Sequence, residues 1–213
     1  MADSNPNTKH RLPTDTDDGL LVVMSGPSGV GKTTIARAVD RAIPDALFSV
    51  SATTRAQTGA DVEGVDYHFV DEPGFRAMIE RDEFLEWAEV FGRLYGTPQA
   101  WVDEQLRRGR VVICDIDVEG ARQIKAKMPE ALTLFVLPPS EDELLDRLRS
   151  RKREGESAIQ KRFAEAKREI AAARASGVYE HFLVNKDLEA SIAQAIALVT
   201  NARAATRREG NGD

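Results

Sequence analysis

The sequence predicts an α/β fold: a parallel β-sheet flanked by helices. Three observations carry that prediction. Short apolar runs alternate with helical stretches along most of the chain, the pattern that parallel strands joined by crossover helices require. The first apolar run, Leu20-Leu21-Val22-Val23-Met24, ends in a glycine-rich turn that opens a helical stretch. The chain has 213 residues, enough for one α/β domain with a sizeable core.

Taken in order, the first run is too apolar to alternate, as a strand buried on both faces should be. Thr33 to Ile43 carries apolar residues at Ile35, Ala38, Val39 and Ala42, a helical spacing, and Pro44 stops it. Leu47–Ser51 reads as a second strand, and Val111–Asp115, Thr133–Leu137 and Phe182–Val184 as further ones. Helical patterns cover about Pro98–Arg108, Glu119–Lys127, Ser140–Arg149, Ala158–Ser176 and Leu188–Ala204. Two stretches break the alternation. Ala52 to Gly96 is rich in Gly, Asp, Glu and aromatics and reads as an inserted lobe, about residues 52–97. The basic segment RSRKREGES, about residues 149–158, is a solvated charge run on its own. In a phosphate-binding fold it becomes a lid candidate.

The ordered domain is expected over residues 19–205, between a polar tail at 1–18 and a second at 206–213. The first tail lacks the apolar core of a signal peptide. No apolar run is long enough to cross a membrane. The formal net charge of -6 argues against a nucleic-acid binder, which usually carries a basic stripe. The one cysteine, Cys114, excludes an intrachain disulfide and fits a reducing, cytoplasmic setting. Its place in the run Val111-Val112-Ile113-Cys114 makes it a core residue rather than a reactive thiol.

Gly26-Pro27-Ser28-Gly29-Val30-Gly31-Lys32-Thr33 fits GxxxxGK[ST] between a strand and a helix, with Thr34 following. The residue types follow from phosphate chemistry. Glycines bring the backbone close to the phosphates, and successive N–H groups converge at the positive end of a helix. Lys32 would neutralise the β- and γ-phosphates, and Thr33 would offer its hydroxyl to Mg²⁺. The fold is therefore of the P-loop NTPase type, with ATP or GTP as ligand. Asp115 and Asp117 end the strand Val111–Cys114. Asp115 could hold Mg²⁺ through a water; either residue could instead cap the next helix.

The chain resembles the guanylate kinase family from about Leu20 to Arg203. The resemblance rests on ordered blocks: GPSGVGKTT (Gly26–Thr34), SVSATTR (Ser49–Arg55), GVDYHFV (Gly64–Val70), EFLEWAEVFGRLYGT (Glu83–Thr97), DIDVEGARQIK (Asp115–Lys125), FVLPPS (Phe135–Ser140), and RLRSR followed by IQKR (Arg147–Arg151, Ile159–Arg162). It implies an ATP:GMP phosphotransferase with a core, an acceptor lobe and a lid. By position, Ser51, Glu86 and Thr97 would hold guanine, and Arg55, Tyr67 and Tyr95 the GMP phosphate. Asp117 would lie near the acceptor. Arg147, Arg151 and Arg162 would approach the ATP phosphates, joining Lys32 and Arg55 as charge-neutralising catalytic groups. The chemistry agrees. Guanine presents two donors on one edge, N1–H and its amino group, to a carboxylate such as Glu86, whereas adenine has an acceptor at N1. Hydroxyls from Ser51 and Thr97 can donate to guanine O6, and a site so built rejects the wrong base by leaving buried groups unpaired.

The chain departs from the family at one functional place. Thr54-Arg55-Ala56-Gln57-Thr58-Gly59-Ala60-Asp61 puts Thr58 where a second phosphate-binding arginine is expected, and Ala60-Asp61 where glycine and glutamate are usual. Weaker GMP binding, a changed acceptor and a compensating basic residue are the three alternatives this leaves open. Two rival readings are a P-loop kinase acting on a ribose bisphosphate and a non-enzymatic guanylate-kinase-like interaction module. Retention of Glu86, Ser51 and Thr97 speaks against the first, and retention of Lys32 and Thr33 against the second.

Overall fold

The structure is a computed structural model that describes residues 19–90, 92–150 and 155–210. In chain order the elements are β1 (Leu20–Ser25), α1 (Lys32–Ala42), β2 (Ala46–Phe48), β3 (Ala52–Thr53), β4 (His68–Phe69), α2 (Glu72–Glu80), β5 (Phe84–Val90) and β6 (Arg93–Pro98). There follow α3 (Gln99–Arg107), β7 (Val111–Asp115), α4 (Val118–Lys127), β8 (Leu132–Leu137), α5 (Glu141–Ser150), α6 (Glu156–Ser176), β9 (His181–Val184) and α7 (Leu188–Gly210).

Five strands form a parallel sheet in the order β2-β7-β1-β8-β9. The alternation of side chains along each strand builds two cores. Val22, Met24, Ile113 and Leu134 face α1 and α7, together with Ile35, Val39, Ala195 and Val199. Val23, Val112 and Phe135 face the other way, against Val102 of α3, Ala121 and Ile124 of α4 and Ala173 of α6. Burial on both faces explains why these strands read as unbroken apolar runs. The parallel sheet with helices on both faces is the predicted fold class. β1 lies between β7 and β8: the chain passes from β1 to β2 and β7 on one side, then crosses β1 to β8 and β9 on the other. That crevice at the carboxyl ends of the strands is where open α/β sheets bind ligands.

The expected strand Leu47–Ser51 is in fact a switch between two sheets. β2 ends at Phe48, and the Ser49 N–H makes one last bond to the Ile113 carbonyl at 2.9 Å. By Ala52 the chain has joined a second sheet, order β4-β3-β6-β5, pairing with Gly96 of β6 and His68 of β4. Phe75 of α2 and Phe84 of β5 stack at 4.5 Å between centroids and close a separate small core with Ala52 and Leu94. The stretch read as an inserted lobe thus has its own sheet and its own apolar centre.

At the C-terminus the expected polar tail from Thr206 differs: α7 runs on to Gly210. Ala204 and Ala205 are strong helix formers and carry the helix onward. One turn earlier Arg203 ties the helix to Asp45 (Nη1–Oδ1 2.7 Å) and to the Gly109 carbonyl at 2.7 Å. The tail at 1–18 and residues 211–213 lie outside the described residues.

Candidate active site

Between β1 and α1 the phosphate motif forms a loop that opens into a cavity of about 410 Å³. Gly26, Pro27, Ser28, Gly29 and Gly31 line it with Lys32, Thr33 and Thr34, and Asp115, Asp117 and Glu169 complete the wall. Gly31 shows why glycine is needed. Its φ is +94°, and a Cβ there would lie 2.5 Å from Asn185 Nδ2. Val30 is buried beneath the loop, and its carbonyl accepts from Asn185 Nδ2 at 2.8 Å. Asn185 follows the end of β9. It clamps the loop from below, a role that its sequence position did not disclose. Its location at a strand's carboxyl end in a parallel sheet was the available signal.

The structure separates the two aspartates that the sequence left open. Asp115 takes the Lys32 ammonium at 2.5 Å and the Thr33 hydroxyl at 3.0 Å. Asp117 is the cap of α4, accepting from the Gly120 N–H at 2.8 Å, and it also lines the cavity. Thr33 and Asp115 together offer a hydroxyl and a carboxylate, hard oxygen donors that fit Mg²⁺, which keeps most of its shell as water and phosphate oxygen.

Arginines from α5 and α6 reach this region. Arg162 donates to Ser28 Oγ in the loop. Arg147 donates to Glu143 at 2.5 Å and to the Asn185 carbonyl at 2.9 Å, beside the same clamp. Arg149 pairs with Glu156 at 2.7 Å, joining the end of α5 to the start of α6. Arg151 lies outside the described residues. Glu169, seven residues beyond Arg162 on α6, is a cavity carboxylate that sequence reasoning passed over. Burial raises its pKa, with Lys32 opposing and Asp117 and Asp115 adding to the rise.

The second sheet carries the other expected residues. Glu86 on β5 and Thr97 on β6 are cross-strand partners, both almost fully buried. Thr97 was expected to donate to guanine O6; in the structure its hydroxyl donates to Glu86 Oε1 at 2.6 Å. It therefore orients the carboxylate. The other oxygen, Oε2, lies 2.9 Å from where a Cβ on Gly120 would stand, so only glycine in the first turn of α4 leaves it room. Burial pushes the Glu86 pKa up to about 7, and the charge of Asp117 adds to the rise against the Thr97 hydrogen bond. The start of α4 thus joins the two halves of the site: Asp117 faces the loop cavity while Gly120 packs on Glu86. Ser51 stands immediately before β3, half-buried, and its carbonyl accepts from the His68 N–H at 2.9 Å.

The three residues expected at the acceptor phosphate are brought together. The Arg55 guanidinium lies 5.0 Å from the Tyr67 ring centroid, and the Tyr67 and Tyr95 rings meet edge-on at 5.9 Å. Thr58 does not stand free beside them. Its N–H and hydroxyl both donate to Asp61 Oδ2 at 2.7 Å, and Asp61 pairs with Arg55. Cys114 is buried, and burial pushes its thiol up to about 12, as a core residue should be.

A phosphate loop at the carboxyl end of a parallel sheet, with a second small sheet built into the chain, defines a P-loop phosphotransferase. Comparison with known proteins narrows this further. The chain belongs to the guanylate kinase family, whose model matches residues 19–202. It is similar to the guanylate kinase of Anaeromyxobacter dehalogenans, with 48% identity over 94% of this chain and 86% of the relative. It is equally similar to that of Myxococcus xanthus, with 48% identity over 90% of each. Among solved structures, the guanylate kinase of Anaplasma phagocytophilum superposes with a TM-score of 0.68 at 30% identity, covering 87% of this chain and 86% of the other.

Proposed function

We propose that this enzyme moves the γ-phosphate of ATP onto GMP, giving ADP and GDP. Family membership supports the reaction, and the observation that carries the choice of base is the buried Glu86 carboxylate. A carboxylate so enclosed, pinned by Thr97 and Gly120, has been taken out of water and so needs donors to face it. Guanine supplies two on one edge. Adenine would turn a lone pair towards it.

The phosphoryl transfer needs positioning and charge stabilisation rather than covalent help. The loop N–H groups hold the β- and γ-phosphates at the start of α1. Lys32, kept in the loop by Asp115, stands ready to follow the phosphate charge. Thr33 and, through a water, Asp115 would hold Mg²⁺, which when bound neutralises charge on the phosphate oxygens. Arg162 and Arg147 add cations from α6 and α5, and Arg55 with the two tyrosine hydroxyls holds the acceptor phosphate in line. The lobe of about residues 52–97 carries the acceptor; residues 151–154 of the expected lid, about 149–158, lie outside the described residues. Among the described residues no helix is long and apolar enough to cross a membrane.

An assay of ADP release with GMP, dGMP, AMP, UMP and ribose bisphosphate as acceptors tests this reading. The expected result is that kcat/KM for GMP exceeds that for AMP by about a thousandfold or more, the scale set by leaving buried polar groups unpaired. Faster turnover with ribose bisphosphate, or no acceptor-dependent ADP, would overturn it.

A further inference from the structure

We propose that Asp61, braced by Thr58, is the positioning residue of the acceptor-phosphate site: it holds the Arg55 guanidinium end-on and leaves one edge of it for the phosphate. The inference deepens the preceding reading of the site and rests on it.

The geometry is a closed ring of contacts within one loop. Arg55 Nη1 donates to Asp61 Oδ2 at 3.0 Å and Nη2 to Oδ1 at 2.8 Å, a bidentate pair. Nη1 also donates to the Ala56 carbonyl at 3.3 Å. Of the five guanidinium N–H groups, Nε–H and the second hydrogen of Nη2 carry no hydrogen bond to any described residue. These two sit side by side on one edge, the fork that matches two oxygens of a phosphate. The plane of the fork is set by the rings of Tyr67 and Phe69, at 5.0 and 5.5 Å from the guanidinium carbon. Rotation within that plane is set by Asp61.

Asp61 is itself fixed. Its Oδ2 receives the Thr58 N–H and the Thr58 hydroxyl, both at 2.7 Å. Hydrogen bonds from Arg55 and then Thr58 hold the Asp61 carboxyl well below the usual carboxylate range, so it stays ionised throughout the working pH. This gives the departure at Thr58 a function. Threonine brings no cation to the phosphate; it holds the carboxylate that aims the one arginine present. Asp61 also cancels the Arg55 charge, so recognition of the phosphate depends on direction more than on net charge.

The test uses the full chain and four variants: Asp61→Asn, Thr58→Val, Thr58→Ser and the double change Asp61→Asn with Thr58→Val. KM for GMP, KM for ATP and the inhibition constant of guanosine are measured, with thermal melts as a folding control. Guanosine has the base and lacks the phosphate, so a general loosening of the lobe would weaken it too. Asp61→Asn is expected to raise KM for GMP about tenfold, the scale of one misdirected charge-assisted pair, with KM for ATP and guanosine inhibition nearly unmoved. Thr58→Val should raise it by about threefold, one lost neutral hydrogen bond, and Thr58→Ser should restore it. The double variant should be no worse than Asp61→Asn alone, because Thr58 acts through Asp61. An unchanged or lower KM for GMP in Asp61→Asn would overturn the inference, showing that Asp61 is inert or competes with the phosphate. Additive effects, or an equal loss of guanosine, would also overturn it. Failure of the GMP reading itself would look different: the unaltered enzyme would release no ADP with GMP.

Discussion

Guanine recognition by this enzyme should be pH-dependent through Glu86, and the sign and size follow from its surroundings. The Glu86 pKa is raised from the ordinary 4.5 to about 7, chiefly because burial disfavours the ionised form. Two donors on guanine favour that same ionised form, so below pH 7 the site must lose a proton before it binds. If only ionised Glu86 binds, affinity falls about tenfold for each unit below 7, or about a hundredfold at pH 5. GMP would confuse the measurement, because its own phosphate loses a second proton near pH 6, as phosphate monoesters do (about 6). Guanosine avoids this. Its inhibition constant against GMP, measured from about pH 5 to 8.5, should be flat above about 7.5 and rise below about 7. Glu86→Gln should flatten the profile and weaken GMP by one to two decades in kcat/KM, about 1.5–3 kcal/mol, since the amide turns its NH₂ towards one guanine donor. Stability runs the opposite way. A carboxyl whose folded pKa is raised stabilises the fold fully below about 4.5, and that contribution is lost as pH rises through 7. The shift corresponds to about 3 kcal/mol, so Glu86→Gln should melt at a higher temperature than the unaltered protein at pH 8 and at a similar one at pH 4.5. A guanosine constant that stays level from pH 5 to 8.5 would refute the reasoning.

Three further outcomes are expected. Lys32→Ala should lower kcat by about 10²–10³ or more while circular dichroism stays unchanged, because the loop loses its phosphate-following cation and the core loses nothing; near-normal turnover would exclude the loop from the chemistry. Asn185→Ala should leave the Val30 carbonyl without the partner it now has at 2.8 Å, costing about 1–3 kcal/mol in thermal unfolding and raising KM for ATP more than KM for GMP. An unchanged KM for ATP would show that the clamp is idle. Thr58→Arg should fail to tighten GMP, because a new guanidinium at that place meets Asp61 first and competes with Arg55 for it; a lower KM for GMP, measured beside Gln57→Pro with Thr58→Arg, would restore the view that the site merely lacks a cation.

The fold was legible wherever burial wrote a long pattern. The strands of the parallel sheet lie between two helical layers, so Leu20–Ser25 and Val111–Asp115 read as apolar runs. The second sheet was not legible as a sheet. β3 and β4 have two residues each, too short for any periodicity, and they exist only because β6 and one another stand beside them. The same division runs through the site. The phosphate loop was readable because its chemistry is local: glycines, a lysine and a threonine in one turn. The identities of Glu86, Thr97, Arg55, Tyr67 and Tyr95 came from ordered blocks of resemblance; the structure pairs Glu86 with Thr97 and groups Arg55 with Tyr67 and Tyr95. What no block contained is the use each side chain makes of its neighbours. Thr97 spends its proton on Glu86, and Thr58 spends its own on Asp61. In both places a threonine that a list of ligands would assign to the nucleotide instead holds a carboxylate still. Glu86 must be held because its ionised form is costly to bury, and Asp61 because it aims an arginine. A threonine hydroxyl costs little to order and donates one short bond, so it suits a carboxylate that must keep one orientation before the substrate arrives.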